Sequence, residues 1–216
     1  NEVQLADAIS KILLGDKKFD SKNIEKYVYD TRMRLLYEHT YDPANIPVAD
    51  SIYEEAERLH SDWCKLRALE LKYYVYVADS SKQEEFFEAI DEYLKIASSS
   101  EEYKQEMLDG TYAKVQYLIT QKRYISAQEI VGDLMKDYEK TKYTEGMYTC
   151  NYLMGAIYQN RGDYSMAIPY LNKSALYAEN DSMHLSLVSR ELSLCYQNIG
   201  KYDEALSYAR QSWKYA

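Results

Sequence analysis

Hydrophobic positions recur along most of the chain with the spacing of an amphipathic α-helix. The clearest stretch is residues 151–174, where two apolar helical faces follow one another. These faces are formed by Met154, Ile157, Tyr158, Tyr164, Ala167, Ile168 and Leu171. Gly162 lies between the faces and predicts the end of the first helix, because glycine adopts a positive φ at no steric cost. Asp163 is then expected to cap the next helix. The stretch therefore predicts a helical hairpin.

The same periodicity predicts helices over almost the whole chain, and no alternating strand pattern occurs. Helices are predicted over about 62–78, 101–120, 124–139, 144–161, 164–178, 184–199 and 202–215, and the fourth and fifth of these ranges form the hairpin. Capping boxes that begin at Ser51, Ser81 and Ser99 are expected to start helices. The segment from Tyr41 to Pro47 contains two prolines and is expected to be an irregular connection.

The sequence contains an internal repeat from Phe86 onward. An aromatic residue followed three positions later by alanine occurs four times, at intervals of 38, 40 and 38 residues. The four pairs are Phe86 and Ala89, Tyr124 and Ala127, Tyr164 and Ala167, and Tyr202 and Ala205. Two copies also carry residues of the preceding helix and turn: Gly155, Tyr158 and Gly162 in one, and Ser193, Tyr196 and Gly200 in the other. Tyr53 and Ala56 form a weaker fifth copy.

This arrangement resembles the tetratricopeptide repeat (TPR) family, in which a small residue, an aromatic, a turn glycine, an aromatic and an alanine follow in this order. The match is strong over 148–216 and weaker over 47–147. The chain departs from the family at Asn151 and Ser189, where a tryptophan is usual, and at Glu179, where a proline is usual. Its period also exceeds the usual length of about 34 residues.

The resemblance implies an all-α fold, a right-handed superhelical solenoid of antiparallel helix pairs with about four to five repeats. Residues 47–216 are expected to form the repeats as one continuous domain. Residues 1–46 are expected to form N-terminal helices that cap them.

Composition narrows the possible partners. The chain has 216 residues, a net charge of −9 and 25 tyrosines. The negative charge argues against nucleic-acid binding by this segment, which needs clustered Lys and Arg. No apolar run is long enough for membrane insertion. The three cysteines, Cys64, Cys150 and Cys195, have no CxxC spacing and are expected to be buried thiols.

No motif for catalysis, metal binding or cofactor binding is present. The histidines His39, His60 and His184 share no helical face and adjoin no cysteine at ligand spacing. Pairs of carboxylates such as Glu84 and Glu85 fall in first turns of helices, where they offset the helix dipole. We therefore expect no enzyme, no catalytic or metal-binding residues and no cofactor.

The resemblance implies a binding site on the concave face, which the first helix of each pair lines in this family. The positions that correspond are Tyr74, Tyr112, Gln116, Tyr152, Gln159, Asn160, Arg190, Gln197 and Asn198. Tyrosines edged with amides suit a peptide backbone or a sugar, since they offer flat apolar faces with donors and acceptors. The expected partner is a protein or peptide segment in the concave groove. The same column of tyrosines would also fit side chains that merely fill the groove, and both interpretations stay open.

Two functions are compatible with such a module. The first is the ligand- or partner-sensing part of a larger signalling or transcriptional regulator, because long, tyrosine-rich repeats resemble the extracytoplasmic TPR regions of Bacteroidetes-type regulators. The chain begins at Asn1, and its last helix ends with an apolar face around Trp213 that suggests a longer polypeptide. The alternative is a stand-alone cytoplasmic scaffold. An extracytoplasmic location is favoured, and the oligomeric state is left open.

Overall fold

The computed structural model describes residues 41–58, 60–178 and 181–216, and within these ranges the chain is all-α. Nine α-helices and three short 3-10 turns are present there, without a strand. The helices are α1 (Ile46–Arg58), α2 (Asp62–Val77), α3 (Gln83–Ala97), α4 (Lys104–Thr120), α5 (Tyr124–Thr141), α6 (Thr144–Arg161), α7 (Tyr164–Tyr177), α8 (Ser182–Asn198) and α9 (Tyr202–Tyr215). The predicted all-α fold of paired helices is confirmed. Residues 1–40 of the predicted N-terminal cap lie outside the described residues.

The chain divides into two compact units, residues 1–110 and 111–216, and the boundary falls inside α4. In the first unit α1 packs on α2 and α2 on α3. In the second unit each helix from α5 to α9 packs on the next one along the chain. Such packing between sequence neighbours is the arrangement of stacked repeats. The single continuous domain over 47–216 stays a prediction.

In the first unit, small and branched side chains of α1 and α2 form the core. Ala49, Ile52 and Ala56 pack against residues of α2 such as Leu71 and Ala68. Tyr73 lies at the centre of an aromatic group, with its ring perpendicular to those of Phe86 and Tyr93 on α3. The weak fifth repeat copy around Ala56 therefore contributes to a real helix contact.

The residues that define the repeat occupy equivalent places in each pair. The alanines Ala89, Ala127, Ala167 and Ala205 are all buried. The aromatics Tyr124, Tyr164 and Tyr202 are the first residues of α5, α7 and α9. The Tyr124 hydroxyl donates to the carbonyl oxygen of Asn160 at 3.0 Å and so ties α5 to the end of α6. Because the side chain of alanine is only a methyl group, the second helix of each pair can pack closely against its neighbours at these positions.

The two helices of the hairpin, α6 and α7, approach each other closely, as the small residues predicted. Gly155 faces Leu171, and a β-carbon on the glycine would lie 2.6 Å from the leucine Cδ2 atom. Gly162 ends α6 with a φ of 85°, as the pattern predicted. The rings of Tyr158 and Tyr170 stack with their centroids 5.5 Å apart across the two helices.

Several predicted helix starts are wrong. The segment from Tyr41 to Pro47 is not irregular, because a 3-10 turn at Pro43–Asn45 leads directly into α1. Pro47 lies in the first turn of α1, where a backbone N–H has no partner within the helix. The Asp163 side chain does not cap α7; it pairs with Arg161 at 3.0 Å.

None of the three predicted capping boxes starts its helix. Ser51 lies inside α1 rather than at its start. Asp79, not Ser81, accepts the backbone N–H that opens the turn before α3, and Ser100, not Ser99, does so before α4. Each short 3-10 turn moves the cap upstream of the α-helix, so a box counted from the α-helical pattern misses it.

Candidate functional site

Three side chains of the predicted binding column come together in the second unit. Tyr112 lies on the part of α4 that belongs to this unit, Tyr152 on α6 and Arg190 on α8. Tyr112 is 41% exposed, the Arg190 side chain is 59% exposed, and Tyr152 is half-buried between them. We call Tyr112, Tyr152 and Arg190 the tyrosine–arginine surface.

The charged side chain of Arg190 at this surface is oriented by Glu191. The Arg190 guanidinium donates from Nη2 to the Glu191 carboxylate at 2.8 Å and from Nε to the same oxygen at 3.1 Å. Burial, followed by the charge of Glu191, raises the pKa of Tyr152 to about 12, and Arg190 opposes this shift. The phenol of Tyr152 is therefore neutral at physiological pH, and its hydroxyl, which accepts from Arg190, can still donate a hydrogen bond.

An aromatic stack continues the surface along α6. The ring of Tyr148 stacks on Tyr152 with centroids 6.2 Å apart and on His184 of α8 at 3.9 Å. The His184 ring nitrogens lie 3.6 Å from Asp181 and 3.8 Å from Glu145. Tyr148 itself is buried, so it supports the surface from below.

A pocket of about 590 Å³ opens beside His184. It is lined by Lys142, Tyr143, Thr144, Glu145, Tyr177, Ala178, Asp181 and His184. Sequence reasoning considered His184 only as a metal ligand and missed this pocket. Asp181 caps α8 by accepting the His184 backbone N–H at 2.9 Å, so the sequence carried a signal for the start of α8 but none for the position of the His184 ring.

The predicted amides have other contacts. Gln159 donates from Nε2 to the Glu191 carbonyl oxygen at 3.1 Å and contacts the Cys195 sulfur at 3.2 Å, so it links α6 to α8. Asn160 and Asn198 donate to carbonyl oxygens one turn back in their own helices, at 2.9 and 2.8 Å. Gln197 is exposed near the end of α8, beside Asn198. These last three amides therefore lie at the turn ends of helices, apart from the tyrosine–arginine surface.

The two other predicted residues lie on first helices as expected. Gln116 is half-buried on α4, one turn beyond Tyr112. Tyr74 belongs to the first unit, where its ring packs on Tyr73 with centroids 4.8 Å apart and edge-on against Tyr41. Burial raises the pKa of Tyr74. Tyr74 is thus partly a packing residue of its own unit.

The described residues offer little for metal or thiol chemistry. Among them no group of three or more His, Cys, Asp or Glu side chains could hold a metal ion. Cys64, Cys150 and Cys195 are buried free thiols. Burial raises the pKa of Cys150 to about 12 and that of Cys195 to about 11. Over the same part of the chain, no helix is both long and apolar enough to cross a membrane.

Comparison with known proteins adds one distant likeness. No family model matches this chain, and no curated protein matches it. Among solved structures, one titled "MamA MSR-1 C2" is similar over 83% of this chain and 97% of its own length, with 12% sequence identity and a TM-score of 0.42. A likeness this distant carries no weight for fold or function, which rest on the residues and geometry above.

Proposed function

We propose that this chain is a non-enzymatic module that binds an extended segment of a partner protein on the tyrosine–arginine surface. The observation that carries the proposal is the position of Arg190. Its guanidinium is more than half exposed although two of its N–H groups are held by Glu191. A guanidinium has five N–H donors, so Arg190 is oriented by its neighbour and still has donors for a ligand.

The side chains around Arg190 suit a peptide rather than a small polar molecule. Tyr112 presents an exposed ring, and Tyr152 contributes a neutral hydroxyl beside it. Tyrosine and arginine, like tryptophan, are enriched among the few residues that dominate binding energy at protein interfaces. A ligand with an apolar side chain and a carbonyl or carboxylate oxygen would satisfy all three residues.

The spacing of the helices sets the length of the bound segment. Neighbouring packed helices lie about 8–10 Å apart, so the surface from α4 across α6 to α8 spans roughly 20 Å. An extended chain advances about 3.3 Å per residue, which gives a segment of about six residues.

Selection from a phage library of random dodecapeptides tests the proposal. Wild-type protein is expected to enrich a family of related peptides that the double variant Tyr112→Ala, Arg190→Ala does not retain. Both substitutions are at exposed side chains, so circular dichroism is expected to show unchanged helicity. Tyr202→Ala, at another exposed tyrosine on α9, is the matched control and is expected to retain the same peptides. No enriched family, or equal retention by the double variant, would contradict the proposal.

We further propose that the module is the partner-sensing part of a larger signalling or transcriptional regulator, working outside the cytoplasm. This rests on the likeness of its long, tyrosine-rich repeats to those of Bacteroidetes-type regulators. The alternative is a stand-alone scaffold that joins two proteins. The parent gene distinguishes them: an export signal upstream and a membrane span downstream support the sensor, and a plain start and stop support the scaffold.

A further inference from the structure

The pocket beside His184 lies at the ends of helices of the second unit, and we call it the α6–α8 pocket. The turn after α5 and the start of α6 at Thr144 line one part of it. The end of α7 at Tyr177 and the start of α8 at Ser182 border the other part. Its volume of about 590 Å³ falls within the range of about 300–1,000 Å³ that is usual for small-molecule sites. The pocket therefore has the size of a site for a small molecule.

Two carboxylates give the α6–α8 pocket its charge. Asp181 Oδ2 lies 3.6 Å from Nδ1 of His184, and Glu145 Oε1 lies 3.8 Å from Nε2 of the same ring. Both distances exceed that of a hydrogen bond, so the ring does not donate to either carboxylate. The lining also contains Lys142, and one lysine against two carboxylates leaves a formal charge of −1 when the imidazole is neutral.

The two carboxylates also support the helices on which they lie. Asp181 caps α8 through Oδ1, which accepts the His184 backbone N–H at 2.9 Å, and Glu145 lies in the first turn of α6. The cap occupies only one oxygen of Asp181. The second oxygen, Oδ2, is the one near the His184 ring and remains able to accept a hydrogen bond from a ligand.

The negative charge of the pocket acts on the aromatic ring beneath it. Tyr148 stacks on the His184 ring with centroids 3.9 Å apart. Burial raises the pKa of Tyr148, and Tyr152, Glu145 and Asp181 raise it further. These surroundings disfavour an additional negative charge, so the same two carboxylates would favour a cation.

Tyrosine rings complete the lining of the α6–α8 pocket. Tyr143 and Tyr177 both belong to it, and Tyr177 is 37% exposed. The Tyr143 ring is held edge-on against Tyr138 with centroids 5.2 Å apart. The face of a tyrosine ring attracts a cation, and such rings recognise quaternary ammonium groups in particular. Carboxylates beside tyrosine rings therefore suit an organic cation.

An anion and a metal ion fit this lining less well. An anion would meet the like charges of Glu145 and Asp181. For a metal ion, the part of the chain that the structure describes contains no suitable group of three or more His, Cys, Asp or Glu side chains. A neutral molecule would leave the charge of the carboxylates without a counterion.

We propose that the α6–α8 pocket binds a small organic ammonium ion, which the carboxylates of Glu145 and Asp181 hold against the ring of Tyr177. The cation takes the place of water beside the two carboxylates, and the ring contributes a cation–π contact. This site is separate from the tyrosine–arginine surface, and the proposal does not depend on peptide binding there.

Choline and its neutral isostere 3,3-dimethyl-1-butanol are the probes, because they have the same shape and differ in charge. Each is titrated into the ¹⁵N-labelled full chain and followed by NMR spectra of the backbone amides. Choline is expected to cause saturable shifts at Glu145 and His184. The neutral alcohol is expected to bind at least about tenfold more weakly, because it lacks the charge.

Charge-removing variants locate the site. Glu145→Gln with Asp181→Asn keeps the size of both side chains, and asparagine still caps a helix, so helicity is expected to be unchanged. This variant is expected to raise the Kd for choline at least about tenfold. The matched control, Glu129→Gln with Asp133→Asn, removes the same charge from the exposed surface of α5 and is expected to leave the Kd unchanged. Tyr177→Leu is expected to raise the Kd about two- to fivefold.

Three outcomes would overturn the proposal. They are no saturable shifts with choline, the same Kd for choline and for the neutral alcohol, or a Kd for choline that Glu145→Gln with Asp181→Asn leaves unchanged.

Discussion

The side chain of Leu171 occupies the space that a β-carbon on Gly155 would need. A β-carbon at this position would lie 2.6 Å from Leu171 Cδ2 and 2.7 Å from Cγ, well inside van der Waals contact. Leu171 is fully buried in the cluster between α7 and α8, so it has no space to yield. Gly155→Ala is therefore expected to lower the free energy of unfolding by about 1–3 kcal/mol, measured by urea denaturation.

Gly132 provides the matched control. It also lies inside a helix, α5, but a β-carbon there would meet no atom within 4 Å. Gly132→Ala is expected to raise the free energy of unfolding by about 0.5–1 kcal/mol, because alanine loses less backbone entropy in a helix. If the two variants change stability in the same direction, the close approach of α6 and α7 at Gly155 is wrong.

Three turns of the second unit share one backbone pattern, and only one of them lacks glycine. Lys122, Gly162 and Gly200 have φ values of 57°, 85° and 78°, and each turn closes with hydrogen bonds of the same spacing. A lysine in this left-handed conformation is strained. Lys122→Gly is expected to stabilise the protein by about 0.5–1 kcal/mol, and Gly162→Lys to destabilise it by a similar amount. Thermal unfolding of both variants measures this, and a lower melting temperature for Lys122→Gly or a higher one for Gly162→Lys would refute it.

The raised pKa of Tyr152 predicts that the protein loses stability at alkaline pH. Burial and Glu191 raise its pKa to about 12, above the ordinary value near 10. The folded state therefore favours the protonated phenol, and its contribution to stability is present below pH 10 and lost between pH 10 and 12. Tyr152→Phe removes this titration, so urea unfolding across that range is expected to show a shallower fall for the variant. An identical fall in both proteins would exclude the shift at this residue.

The cysteines are expected to be unreactive in the folded protein. All three are buried, and burial raises the pKa of Cys150 to about 12 and of Cys195 to about 11, so few thiolates form at pH 8. Native protein is expected to react with Ellman's reagent only as fast as it unfolds, whereas protein in concentrated urea reacts at all three thiols at once. Rapid labelling of a native thiol would contradict this burial.

The helix pairs could be predicted from the sequence because each depends on residues close together in the chain. Gly162 and Tyr164 mark the turn of α6 and α7 through local backbone preference and helical spacing. The helix starts before α3 and α4 were displaced, because Asp79 and Ser100 cap short 3-10 turns that the α-helical period does not detect.

The candidate site could be predicted only in part, because side-chain partners from other helices leave no trace in local spacing. Tyr152 and Arg190 meet where the alignment of repeats placed them. Gln159 was aligned to the same face, but its amide contacts a backbone carbonyl and a sulfur of α8. The stacking of His184 on Tyr148 likewise joins two helices and was not predicted.

The most direct test of the tyrosine–arginine surface is the Kd of the best selected peptide, measured by isothermal titration calorimetry for wild type, Tyr112→Ala, Arg190→Ala and Tyr202→Ala. We expect each of the first two substitutions to raise Kd by at least about tenfold and the third to leave it unchanged. A Kd that neither Tyr112→Ala nor Arg190→Ala changes would contradict the proposed function.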